Sequence, residues 1–278
     1  FVPNLFEFVL DSDISPMSNE IFEDFGFEST LFLLNMGQKF TIFAFVLVLW
    51  PIVWVVSMSK IPFLAKKCEG FLSEYKYNFF LRNWIQLFLD LSIAAVIQIS
   101  NSPSSNGIVM SSYCIGVMFS LLLALSPLAL YLFIKKNQSK FNSEDSDFRK
   151  RWGTLVYEYD CKQGSKAPYT YFVFFLKRAL FAVSLVLLGD YPVLQHVINT
   201  LLMIGYTAFI IAVKPIKDSI NQVTAIITET LTCLVFIGCS YFLQDSWRSH
   251  DQLIEDFLIY STLGIVLVQS SAGILPLV

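Results

Sequence analysis

Between Asp90 and Lys135 the sequence carries no charged residue. The run is too long for a single membrane helix, which takes about 20 mostly apolar residues. It is interrupted by SNSPSSNG at 100–107, a turn-forming stretch. It therefore predicts two spanning helices, at 82–100 and 108–134. Further apolar runs occupy 40–59, 191–213 and 257–278 without a charge, 170–189 interrupted by Lys177 and Arg178, and 219–243 interrupted by Glu229. The fold class expected is all-α: a polytopic membrane bundle of about seven transmembrane helices. The period-two alternation of a membrane β-barrel is absent. Composition agrees: 55% of the chain is hydrophobic and 15% charged, against about 25% charged in soluble domains. That leaves too little polar material to coat a soluble enzyme, a nucleic-acid binder or a disordered scaffold.

The charges sort by loop. Lys60, Lys66, Lys67, Lys76 and Arg82 fall in or beside the first connection, and Lys214 and Lys217 in the fifth. The third connection, 135–169, holds Lys135, Lys136, Lys140, Arg149, Lys150, Arg151, Lys162 and Lys166. With Lys177 and Arg178 assigned to the nearer face, only Lys39 and Arg248 of the 19 basic residues fall on the other side. The positive-inside rule makes the basic face cytoplasmic. Segment 1–38 is then extracellular and Val278 points toward the cytoplasm. That segment carries Glu7, Asp11, Asp13, Glu20, Glu23, Asp24 and Glu28, no Lys or Arg, and Phe22, Phe25 and Phe27. The membrane domain is read as 39–278. The opening at Phe1 shows no signal peptide, and the chain ends in an apolar run, so a membrane part of a longer protein is expected.

Two cytoplasmic elements stand out. Leu64, Cys68, Phe71, Leu72, Tyr75 and Phe79 recur at helical spacing, with Lys66, Lys67, Glu74 and Lys76 elsewhere on the wheel. This predicts an amphipathic interfacial helix over 61–80, an elbow between spans or a lipid-sensing element. Loop 135–169 reads as a solvated connector, or as a docking site for anionic lipid or a cytoplasmic partner through Arg149, Lys150 and Arg151.

Ionisable side chains at membrane depth are costly and face a bundle interior or a water-filled cavity. Asp90 lies near the middle of the second span and Glu229 inside the sixth. Asn83, Gln86, Asp90 and Gln98 share roughly one face. Gln222, Glu229, Thr232 and Cys233 share another, with Thr228 and Thr230 beside Glu229. His196, Asn199, Met203 and Tyr206 make a weaker stripe. Asp90 and Glu229 are candidates for a cation or proton path. Equally, each is a candidate for a buried ion pair with Lys177 or Arg178. The sequence has no G-x-G-x-x-G, P-loop, H-E-x-x-H or G-x-S-x-G. Cys68, Cys114, Cys161, Cys233 and Cys239 form no C-x-x-C. No enzyme, metal site or cofactor is expected.

The region 151–243 has further landmarks. Gly153, Leu155, Tyr157 and Glu158 precede a span. An aromatic run leads to Lys177-Arg178, followed by Tyr191-Pro192 with Gln195, Lys214-Pro215, Asn221 and Glu229. In these features it resembles the C-terminal multispanning region of large cysteine-rich repeat membrane proteins of ciliates and other protists. Segment 22–37 is similar to the stretch before their first span. That region in turn looks like the TRP-like domain of fungal flavin-carrier proteins and, distantly, polycystin channels. The resemblance implies a polytopic domain that follows a large extracellular region, at the cell or ciliary surface.

Three functions are compatible with this. One is a channel-like domain moving cations past Asp90 and Glu229, under an acidic outer face that concentrates them. The second is a non-transporting membrane anchor or assembly subunit that works with other membrane or extracellular subunits. The third is a seven-span receptor, although the third span ends in Ile134-Lys135-Lys136 rather than an Asp-Arg-Tyr-like triplet. The outer connections at 100–107, 190–191 and 245–256 are too short for a re-entrant pore helix with a filter.

Overall fold

The computed structural model describes residues 22, 27, 29–58, 78–101, 107–141, 146–156, 159–160, 166–239, 260–261 and 263–265. The described residues are mostly helical; the rest are turns, short irregular stretches and isolated bridge residues, among them the pair Tyr159 and Ile216. The long helices are α1 (Phe32–Ser57), α2 (Phe80–Ser100) and α3 (Gly107–Lys136). Two short helices follow, α4 (Gln138–Phe141) and α5 (Ser146–Val156). A 3-10 turn, Ala167–Tyr169, leads into α6 (Thr170–Leu187), then α7 (Pro192–Val213) and α8 (Ser219–Cys239). Six of these helices are long and apolar enough to cross a bilayer, so the chain is a helical multi-pass membrane protein. Of the expected seventh span, 257–278, only the helical residues 260–261 and 263–265 are described. Gly264 there lies beside Leu231 of α8. The expected amphipathic helix over 61–80 lies outside the described residues except at its end.

The chain divides into two compact units, residues 1–126 with 146–154, and residues 127–145 with 155–278. The division in α3 falls at Pro127, a proline inside the helix, which removes one backbone hydrogen bond there.

In the first unit α1 begins at Phe32, about two turns before the expected 40. The reason lies in other helices. The first N–H groups of a helix have no partner inside it. Here Phe32 N–H donates to Gln98 Oε1 at 2.9 Å and Leu33 N–H donates to Ser112 Oγ at 3.3 Å. Ser112 Oγ in turn donates to Gln98 Oε1 at 2.9 Å. Both side chains are fully buried. Gly116 makes the close approach possible, since a Cβ there would stand 2.8 Å from Gln98 Cγ. Rings of Phe32, Phe40 and Phe119 close over the same node, with centroids 5.1 to 5.9 Å apart. Further along, Phe43 and Trp50 of α1 pack on Phe80 of α2. Pro51 sits inside α1 without ending it.

The third connection is not a plain solvated loop. It contains α4, α5 and the 3-10 turn, and Phe141, Phe148, Leu155 and Val156 are buried. Thr154 donates to Asn78 Oδ1 through its N–H at 3.2 Å and its hydroxyl at 3.1 Å. Helix α5 is thereby fixed at the start of α2. Its backbone leaves the helical region at Trp152.

The second unit is built on α6, α7 and α8. Pro192 occupies the first turn of α7, where its missing N–H costs nothing. Gln195 Nε2 donates to the Leu185 carbonyl at 2.9 Å, supplying a partner to an orphan group of the last turn of α6. At the opposite end α7 stops on Lys214, in the left-handed region at φ 46°. Gln222 ties that turn: its Oε1 accepts from Ile216 N–H at 2.8 Å and its Nε2 donates to the Ile210 carbonyl at 3.4 Å. Asp218 precedes α8 and accepts from Asn221 N–H, the arrangement of a helix N-cap.

Candidate functional site

Helices α6, α7 and α8 bring one charged cluster together. Lys177 Nζ of α6 donates to Glu229 Oε2 of α8 at 3.1 Å, and both side chains are mostly buried, 14% and 24% exposed. The same ammonium stands 3.9 Å from the centre of the Tyr206 ring on α7. The lysine is thus held by a carboxylate and by a negative π-face at once. Thr207 donates to the backbone carbonyl of Glu229 at 3.3 Å, which joins α7 to α8 at the same level. The neighbouring Arg178 has its guanidinium 4.1 Å from the centre of the Phe174 ring.

The second carboxylate has a different partner. Asp90 of α2 accepts from Lys39 Nζ of α1 at 2.5 Å. The sequence offers Lys177 or Arg178 for this role and leaves Lys39 outside the membrane. The helix that begins at Phe32 instead carries Lys39 about two turns inward. The apolar run ahead of it, Leu31 to Met36, was the available signal. This pair is more open than the other, with side chains 30% and 43% exposed.

Among the described residues, the other polar side chains do not form a continuous path. On α2, Asn83 donates to the Phe79 carbonyl of its own helix, Gln86 is exposed, and Gln98 belongs to the buried node on α1. On α7, His196 Nε2 lies 3.3 Å from Thr200 Oγ1 and stacks on Phe236. Asn199 Oδ1 accepts from Ser184 of α6. Buried Met203 stands between Asn199 and Tyr206 along the helix, so this stripe is broken by an apolar side chain. On α8, Thr230 and Thr232 donate to the Ile226 and Thr228 carbonyls of their own helix. Two of the three hydroxyls expected around the Glu229 carboxylate are therefore turned to the backbone, and the third, Thr228 Oγ1, is buried with no hydrogen-bond partner. Sequence reasoning does not single out Ser112 or Ser184, because a serine in an apolar run gives no signal of its partner.

Chemically, the arrangement neutralises charge. The Asp90 and Glu229 carboxylates are each held by a lysine from a neighbouring helix, and among the described residues neither has a second acid beside it. Comparison with protein-family models, with curated proteins and with solved structures gives no match.

Proposed function

We propose that this chain is a membrane anchor and assembly domain whose intramembrane charges serve as structural pairs. The observation that carries the reading is the Lys177–Glu229 contact under Tyr206. A cation path needs carboxylate oxygens free to replace a hydration shell. Here the strongest candidate oxygen is already occupied by an ammonium. Acidic segment 1–38 and the resemblance of 151–243 to the membrane regions of protist surface proteins support an extracellular structure as the thing anchored. The test is reconstitution of the purified chain in liposomes loaded with a cation-sensitive dye. The anchoring reading expects no flux above protein-free liposomes. Cation flux that falls in Glu229→Gln would overturn it.

A second reading is a TRP-like, channel-like domain that moves cations. It is supported by the same resemblance and by the half-open Asp90–Lys39 pair, whose carboxylate is 43% exposed. It expects flux that changes in selectivity when Asp90 is replaced by Asn.

A further inference from the structure

Helix α5 carries a guanidinium that the protein itself leaves incomplete. Arg149 has its Nε buried, and no acceptor reaches it. A buried donor without a partner is costly, more so when charged, so such a group implies an absent acceptor. The surroundings say which chemistry. Arg151 is exposed two residues on, and Phe148 between α4 and Arg149 is buried. The helix thus buries Phe148, half-buries Arg149 and exposes Arg151. The two hydrogen bonds from Thr154 to Asn78 hold its far end against the first residues of the spanning helix α2. Arg82, exposed, lies about one turn into α2. A helix docked at the end of a span sits at headgroup level, where the available acceptors are phosphate oxygens.

We infer that Arg149 holds the phosphate of an anionic phospholipid headgroup at the basic end of the bundle, with Arg151 adding to the positive field around it. The guanidinium fork matches phosphate oxygens, and clustered arginines beside a membrane span favour anionic over zwitterionic lipid. The inference stands on membrane embedding alone and does not need the anchoring role. A chain that conducts cations yet keeps this lipid preference would overturn the anchoring role and leave the inference standing.

The experiment is native mass spectrometry of the whole chain in micelles doped with phosphatidylglycerol or with phosphatidylcholine. Wild type is expected to retain phosphatidylglycerol in preference. Arg149→Gln is expected to lower that retention about fivefold, the factor given by one basic side chain at an anionic surface. Arg151→Gln is expected to lower it in the same direction. Inorganic phosphate at matched concentration is expected not to compete. Equal retention of the two lipids, or unchanged retention in both variants, overturns the inference. Competition by inorganic phosphate overturns the lipid as the source. If Arg149→Gln does not fold, Arg151→Gln decides, because its side chain is exposed and its loss leaves no buried gap.

Discussion

Lys177 and Glu229 meet at 3.1 Å with the face of Tyr206 against the same ammonium. Three consecutive helices are therefore joined through one lysine. An ion pair out of water is a poor source of net stability, but half of one is strongly destabilising. Replacing Lys177 by Met is expected to lower stability by about 3 kcal/mol. The double variant Lys177→Met with Glu229→Leu is expected to recover most of that loss. Thermal unfolding in detergent micelles, followed by tryptophan fluorescence, measures both.

The Asp90–Lys39 pair joins α1 to α2 and is more open. Asp90→Asn is expected to cost less than the loss of Lys177, about 1.5 kcal/mol, because the amide keeps an acceptor for the Lys39 ammonium. The exchanged pair, Lys39→Asp with Asp90→Lys, is expected to approach wild type. A double-mutant cycle on the unfolding midpoint gives the coupling; no recovery in the exchange would show that the two groups act separately.

The node at Gln98 is expected to be the most sensitive polar position in the first unit. Gln98→Leu leaves the Phe32 N–H and the Ser112 hydroxyl without their shared acceptor, a loss of about 2 kcal/mol. Gly116→Ala drives a methyl group to within 2.8 Å of Gln98 Cγ. It is expected to cost about 1–3 kcal/mol through overpacking. Hydrogen exchange at the start of α1 separates the two. The first variant speeds exchange at Phe32 selectively, while the second loosens both helices that meet there.

Lys214 ends α7 at a positive φ that glycine adopts without penalty. Lys214→Gly is expected to raise the unfolding midpoint slightly, by up to about 1 kcal/mol of stability. Lys214→Val is expected to lower it, since a branched Cβ fits that region worse than lysine does. A midpoint that falls in the glycine variant would show that the lysine side chain contributes more than its backbone costs.

The spans were legible because hydrophobic length is a local property of the sequence. Expected and observed limits for α2, α3, α6 and α7 differ by two residues or fewer. The start of α1 was not legible, because Gln98 and Ser112, far along the chain, supply its missing acceptors. Glu229 stood out by charge alone, and one of its two proposed partners, Lys177, is the residue in contact. Asp90 stood out equally, yet its partner Lys39 was placed outside, an error that followed directly from the late start given to α1. Helical periodicity put Asn83, Gln86 and Gln98 on one face. It could not say that one bonds its own backbone while another is buried against a different helix.

The shared acceptor at Gln98 also bears on biogenesis. Membrane helices are made and inserted in chain order, so α1 enters the bilayer before Gln98 and Ser112 exist. Until α2 and α3 follow, the Phe32 and Leu33 N–H groups lack these two acceptors, and nothing from them pins the depth of the first span. The register of the first span is thus set by the two that come after it. A nascent chain stopped short of Ser112 holds Lys39 at no fixed level, and one carried past it does.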